Sequence, residues 1–183
     1  MKNFEESKTK EARRYWELVE PLFDAVDLDS TEGFFASVKG LNPSVVNLFA
    51  AHFCLSEVHN GGFLQFFWNS TGILAPEAVE GFRAIGMPRL ATVASEASAL
   101  LGSPYPRDRN ERGNALLAAS GRSKEELERI FQGALNFYIA FEKATESLNF
   151  DALNEKAWQL AEEENGDFGN AATAYAHAKG LLK

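Results

Sequence analysis

The chain has 183 residues, 45% of them hydrophobic and 24% charged, with a formal net charge of −8 and a pI near 5.0. That length suits one domain, fifteen Phe and three Trp supply a core, and the acidity argues against direct contact with nucleic acid, whose affinity rests on Lys and Arg neutralising phosphates. The single cysteine, Cys54, excludes an intramolecular disulfide; with a charged N-terminal stretch and no apolar run near the ~18 residues that span a bilayer, the expectation is a cytoplasmic chain without a membrane span.

An amphipathic pattern runs from about Lys10 to Val26, with Val19, Leu22, Phe23 and Val26 on one face. Pro21 predicts a kink or restart there, because it removes the N–H that would bond the Glu17 carbonyl. Asp29 or Ser30 then caps a short helix through Phe34, Phe35 and Val38, ended by Gly40. Asn42-Pro43 opens the most apolar helix, running to about His59 with Val46, Leu48, Phe49, Leu55 and Val58. This is the predicted central helix. Asn60-Gly61-Gly62 breaks it, and a short aromatic helix follows as far as Gly72.

Ala75 or Pro76 begins a helix closed by Gly86, and Pro88 restarts the chain into LATVASEASALL, whose small residues suit close packing. The stretch after Gly102, with Pro104 and Pro106, reads as a loop. Ser123 and Glu126 form a capping box, predicted to open one long helix through Leu127, Ile130, Phe131, Leu135, Phe137, Tyr138 and Phe141. A further helix spans about Asp151 to Glu163, with Leu153, Ala157, Trp158 and Leu160 inward. Gly166 and Gly169 mark a turn before an Ala-rich last helix. No alternating strand pattern of useful length occurs. The expected fold is all-α: one domain over residues 1–183, an irregular bundle of about eight helices.

The most distinctive stretch is EVHNGGFLQFFWNSTG, from Glu57 to Gly72. As a structural corner, Gly61 and Gly62 permit positive φ or close backbone approach, while Asn60 and Asn69 bond helix-terminal groups. As a functional corner, Glu57, His59, Asn60, Gln65 and Asn69 line a pocket for a small molecule or a reaction. The residues leave both readings open. The spaced pattern EV-x-NGGF-x-QFF-x-NS-x-G, followed by Ala84-Ile85-Gly86, resembles the signature of the bacterial DNA-mimic protein (DMP) family, also carried as a domain of unknown function. The resemblance implies an all-α fold with no known cofactor or catalytic activity. It also implies, for at least one member, carboxylates presented like backbone phosphates to a helix-turn-helix repressor.

Acidity is unevenly placed. Residues 17–32 hold six carboxylates and no Lys or Arg, a local net of −6; residues 142–167 hold eight carboxylates against Lys143 and Lys156, again −6. Glu17, Glu20, Asp24 and Asp27 are spaced 3, 4 and 3, which sets them on one stripe if the helix stays regular, about 4.5–6 Å apart along the axis. Glu162 and Glu163 extend the acidic surface near the other end of the chain. The plain alternative is the solvated face that any amphipathic helix needs.

Other chemistry is weakly signalled. His52 and His59 lie about two turns apart, too far to share an ion, and lack HExxH spacing. Cys54, between Phe53 and Leu55, reads as a small hydrophobe. Arg107, Arg109, Arg112 and Arg122, interspersed with Asp108 and Glu111, predict intrahelical ion pairs, with a contact to the acidic stripe as the rival use. The resulting expectation is a non-catalytic, metal-free and cofactor-free protein, monomer or dimer, that binds a basic partner. That partner is either a helix-turn-helix DNA-binding protein or, for an immunity-type role, a basic toxin.

Overall fold

The computed structural model describes residues 14–183. It forms ten α-helices, with no strand among the described residues. They are α1 (Trp16–Val19), α2 (Thr31–Val38), α3 (Pro43–Trp68), α4 (Ala75–Ala84), α5 (Pro88–Ala99), α6 (Arg109–Ala119), α7 (Lys124–Phe131), α8 (Phe137–Thr145), α9 (Asp151–Glu163) and α10 (Phe168–Ala178). The all-α class holds, but the number is ten rather than about eight. Two local features, at Gly133 and at Asp108, each add a helix, while Pro21 shortens one.

Pro21 ends α1 early: the helix stops at Val19 and the chain continues as a 3₁₀ turn over Glu20–Leu22. The part of the expected helix between residues 10 and 13 lies outside the described residues. Gly133, at φ +73°, cuts the long helix expected after Ser123, and the Asn136 side chain starts α8 by accepting from the Tyr138 and Ile139 N–H groups. Helix α6 has no counterpart among the expected elements. The Asp108 carboxylate nucleates it by accepting from the Asn110 and Glu111 N–H groups at 2.8 and 3.0 Å. The remaining start signals act as expected. Ser30 caps α2, Asn42 caps α3, and the Ser123–Glu126 box closes in both directions.

Helix α3 runs through the centre. It buries Leu48, Phe49, Ala50, Cys54 and Val58 in its first half and Phe63, Phe66 and Phe67 in its second. Apolar residues around most of its circumference mark a helix packed on several sides, and α4, α9, α1 and α6 all lie against it. The small residues of α5 that face inward (Ala91, Ala94, Ala97) let it approach α4 and α9 closely. Each fully buried Phe or Leu contributes roughly 1.5–3 kcal/mol. Phe23, expected inward, is an edge residue, half exposed and tilted against Phe53 at 4.7 Å.

The expected intrahelical pairing of the arginines does not occur. Arg107 crosses to α4, making two bonds to Glu77 at 2.8 and 2.9 Å. Arg122 donates to the Ala144 and Lys143 carbonyls and to Glu146. Arg109 and Arg112 also turn to backbone carbonyls, which a linear charge pattern does not reveal.

Candidate functional site

Within α3 the helical backbone is interrupted at Gly61 (φ −160°, ψ 22°) and Gly62 (φ 75°, ψ −178°). An interruption strands a carbonyl before the bend and an N–H after it. Helix α9 meets both: the Trp158 indole N–H donates to the Val58 carbonyl at 3.0 Å, and the Asn154 side-chain oxygen accepts from the Phe63 N–H at 2.9 Å. Four residues apart, Asn154 and Trp158 share one face of α9. This explains why Trp158, expected inward for its bulk, sits partly exposed with its polar edge engaged.

Glu57 spans the same bend with its side chain. Its carboxylate accepts from the Gln65 amide at 2.7 Å, the Asn69 amide at 3.0 Å and the Thr71 hydroxyl at 2.9 Å. No cation among the described residues pairs with it. Three neutral donors therefore hold one half-buried charge, and together they tie the first half of α3 to the turn after its second half.

Beyond that turn, buried Arg112 places its guanidinium among carbonyls. It donates to Phe67 at 2.9 Å, to Asn69 at 2.8 Å and to Arg107. Arg109 donates to the Trp68 carbonyl at 2.7 Å, and the Tyr105 hydroxyl donates to Gly72 at 2.8 Å. The last carbonyls of α3 are thus capped by two cations, the sign that the C-terminal end of a helix dipole favours. Burial works against the charge on Arg112 and lowers its pKa, opposed by Tyr105 and Asp108.

The expected pocket residues separate into two places. Glu57, Gln65 and Asn69 converge with Thr71 and spend their polar atoms on one another. His59 and Asn60 are exposed and line an open groove of about 300 Å³ with Tyr15, His52, Ser56 and Phe168. Gly61 and Gly62 form the bend between them. Thr71, Asn154, Trp158, Tyr105 and Arg112 also belong to the corner; Thr71, Asn154 and Tyr105 carry no signal in the sequence, whereas Trp158 reads there only as an inward residue and Arg112 only as a candidate for intrahelical pairing.

His52 bonds the Tyr15 hydroxyl through Nδ1 at 3.1 Å and packs edge-on against Trp16 at 4.9 Å. Burial lowers its pKa from 6.5 to about 4, so the imidazole is neutral at neutral pH. The unfolded chain takes up this proton below its ordinary pKa while the native one does not, so stability falls as pH drops through that window. Between about pH 7.5 and 5 this group removes about 2 kcal/mol. Urea titrations of the wild type and of His52→Phe at both pH values check this, with the variant expected to lose about 2 kcal/mol less. Equal losses in the two proteins would refute it. Cys54 is buried; burial, with Glu57 adding to it, pushes its thiol pKa up and keeps it protonated at neutral pH. Among the described residues no three His, Cys, Asp or Glu side chains gather for a metal ion.

Glu17, Glu20, Asp24, Asp27, Glu162 and Glu163 are all exposed. Because α1 ends at Val19, the first four do not lie along a regular helix, and the even axial spacing expected of them does not form. Asp27 accepts from the Asp29 N–H at 2.8 Å, and Glu17 lies 3.5 Å from Arg14. Glu163 accepts from Gln159 at 3.0 Å. Glu164 turns the other way and caps α5, accepting from the Arg89 and Leu90 N–H groups at 2.9 Å.

A family model described as DMP19-like protein matches residues 39–179. The chain belongs to the DMP19-like protein family. The DMP19-like region contains the whole bend, its α9 clamp and both capping arginines, together with Glu162 and Glu163. Glu17, Glu20, Asp24 and Asp27 precede it. Comparison with curated proteins and with solved structures gives no match. No helix among the described residues of this DMP19-like chain is long and apolar enough to cross a membrane.

Proposed function

We propose that this DMP19-like chain is a non-catalytic binding domain whose exposed carboxylates occupy the basic, DNA-binding surface of a bacterial transcription regulator. The observation that carries the reading is the run of exposed acids in residues 17–32, where no Lys or Arg intervenes. The inward use of arginine adds to it. Arg112 is buried, Arg107 is paired with Glu77, and Arg109 and Arg122 donate to carbonyls, so four of the nine arginines are engaged within the fold. A surface of one sign steers an oppositely charged partner and speeds encounter, an effect that salt weakens. Since the carboxylates follow a broken helix, recognition rests on the summed field rather than on an evenly spaced row of phosphate-like charges.

The test is capture from bacterial lysate with the tagged chain, at low and at high salt, beside a variant carrying Glu17→Lys, Glu20→Lys and Asp24→Lys. Asp27 is left intact because it holds a turn. A DNA-binding regulator is expected at low salt, released at high salt and absent with the variant, whose circular dichroism stays unchanged. Equal capture by the variant would sink the reading, and recovery of a basic toxin instead would favour the immunity role. The ligand-pocket alternative is left with the groove at His59 and Asn60, at the lower end of the ~300–1,000 Å³ typical of small-molecule sites.

A further inference from the structure

The connection between α7 and α8 is held at its base and loose at its tip. Residues 132–137 are exposed without a break, and Leu135 stands wholly in solvent, at 105% relative exposure. Gly133, at φ +73°, follows the end of α7 and Asn136 starts α8, so the backbone between them belongs to no helix. Among the described residues, every hydrogen bond made by residues 124–139 reaches a group within four positions. Other exposed connections are tied across the fold. The loop after Gly102 is pinned by Tyr105 to Gly72 and by Arg107 to Glu77, and the turn after α9 by Glu164 and Asn165 to the junction of α4 and α5.

Packing follows the same gradient. Helix α7 buries none of its side chains, and Phe131 at its end is only partly covered. At the base the chain is clasped. Arg122, just before α7, donates to the Ala144 carbonyl at 2.9 Å, the Lys143 carbonyl at 3.1 Å and Glu146 at 2.6 Å, while the Ser147 hydroxyl donates to the Ser120 carbonyl at 2.9 Å. Past the tip, α8 buries Ala140, Phe141, Ala144 and Thr145.

We propose that the Leu135–Asn136 peptide bond is a processing site, cut in the folded chain by an endoprotease that cleaves after large apolar residues, and that the nicked chain remains one folded body. An endoprotease takes several residues on each side of the bond as an extended strand, so the flanks must open as well as the bond be exposed. Opening is cheapest where few contacts hold the backbone, and exposed tips rich in small and polar residues are preferred sites of nicking. The tip meets both needs, since α7 can unravel without breaking a bond to the rest of the fold. Leu135 is also the large side chain with nothing to leave: Phe131 and Phe137 stack on each other at 4.9 Å, and Tyr138 lies 5.9 Å from Trp68. Proteases that require Lys or Arg find neither between Arg129 and Lys143.

In the cut, water supplies its oxygen to the Leu135 carbonyl carbon and its hydrogens to the Asn136 nitrogen. The bond between those two atoms breaks, leaving a carboxylate and an amine. Both new ends lie beyond the clasp. The first piece keeps α3 and its bend, and the second keeps Asn154 and Trp158, which grip that bend from α9. These contacts outlast the broken bond.

Limited digestion of the full chain with subtilisin, whose broad tolerance leaves the choice of bond to the structure, tests the proposal with no regulator present. Intact-mass spectrometry is expected to show the first cut among residues 14–183 after Leu135. The two pieces are expected to elute together from gel filtration in native buffer, with unchanged circular dichroism, and to part in urea. Leu135→Asp, at a side chain already in solvent, is expected to keep the fold and to slow the cut severalfold. A first cut at any other bond of residues 14–183 would overturn the site, as would an undiminished rate in the variant. Pieces that separate in native buffer would overturn the clasped, nicked form.

Discussion

Arg112→Met is expected to destabilise the fold by about 3–5 kcal/mol, a large share of the ~5–15 kcal/mol that holds a domain together. The methionine fills the aliphatic path of the arginine but offers no donor. The Phe67, Asn69 and Arg107 carbonyls then lose their partner in an interior that water does not readily reach. Arg109→Met provides the control: Arg109 is exposed and donates to one carbonyl, Trp68, so its loss is expected to cost only about 1 kcal/mol. Urea unfolding followed by circular dichroism measures both. Similar midpoints for the two variants would mean that the buried guanidinium does not organise this end of α3.

Gly62→Ala is expected to cost about 3 kcal/mol. The backbone at φ 75° and ψ −178° lies in a region open essentially to glycine, where a side chain costs ~1–3 kcal/mol. A Cβ there also falls 2.4 Å from the Asn154 amide nitrogen. Relief of that clash moves Asn154, whose oxygen holds the Phe63 N–H, so the bond across the bend is lost as well. The neighbouring Gly61→Ala is gentler. Its φ of −160° suits any residue, and its Cβ would meet the Gln65 side chain, at 2.2 Å from Oε1 and 3.0 Å from Cβ, and leave Asn154 untouched. The two glycines are separable by combination with Asn154→Ala. In that background the cost of Gly62→Ala should shrink and that of Gly61→Ala should not, as thermal melts of the single and double variants would reveal. Undiminished cost in both would leave backbone strain as the whole effect.

How much of this was legible in the sequence depended on distance along the chain. Ser30, Asn42 with Pro43, and Ser123 with Glu126 act within three residues of themselves, and all cap the helices expected of them. Pro21 likewise marks its own break. Apolar periodicity misled where it continued across a turn: Leu135 and Phe137 keep helical spacing past Gly133, yet Gly133 and Asn136 end one helix and start another. Helix α6 was hidden because Asp108, its cap, stands among arginines and prolines that read as loop. Within the candidate site, the motif's place was plain while its wiring was not. Nothing local says that Glu57 gathers Gln65, Asn69 and Thr71, since that depends on the angle of the bend. Nor does anything local join Asn154 and Trp158 to groups about ninety or more positions earlier. The arginines were misread for a related reason: their acceptors are main-chain oxygens, which every residue carries and no sequence pattern singles out.

The knot around Glu57 makes the instructions for shape and for surface charge separately editable. The motif side chains and their distant partners specify a bent central helix, and they do so with atoms turned toward one another. Most of the carboxylates on the outside take no part in that specification. A lineage, or a designer, could therefore redraw the electrostatic exterior many times over the same bent frame, even to the opposite sign. A chain recognised by this motif has declared its skeleton, and its outer charge is written in other residues.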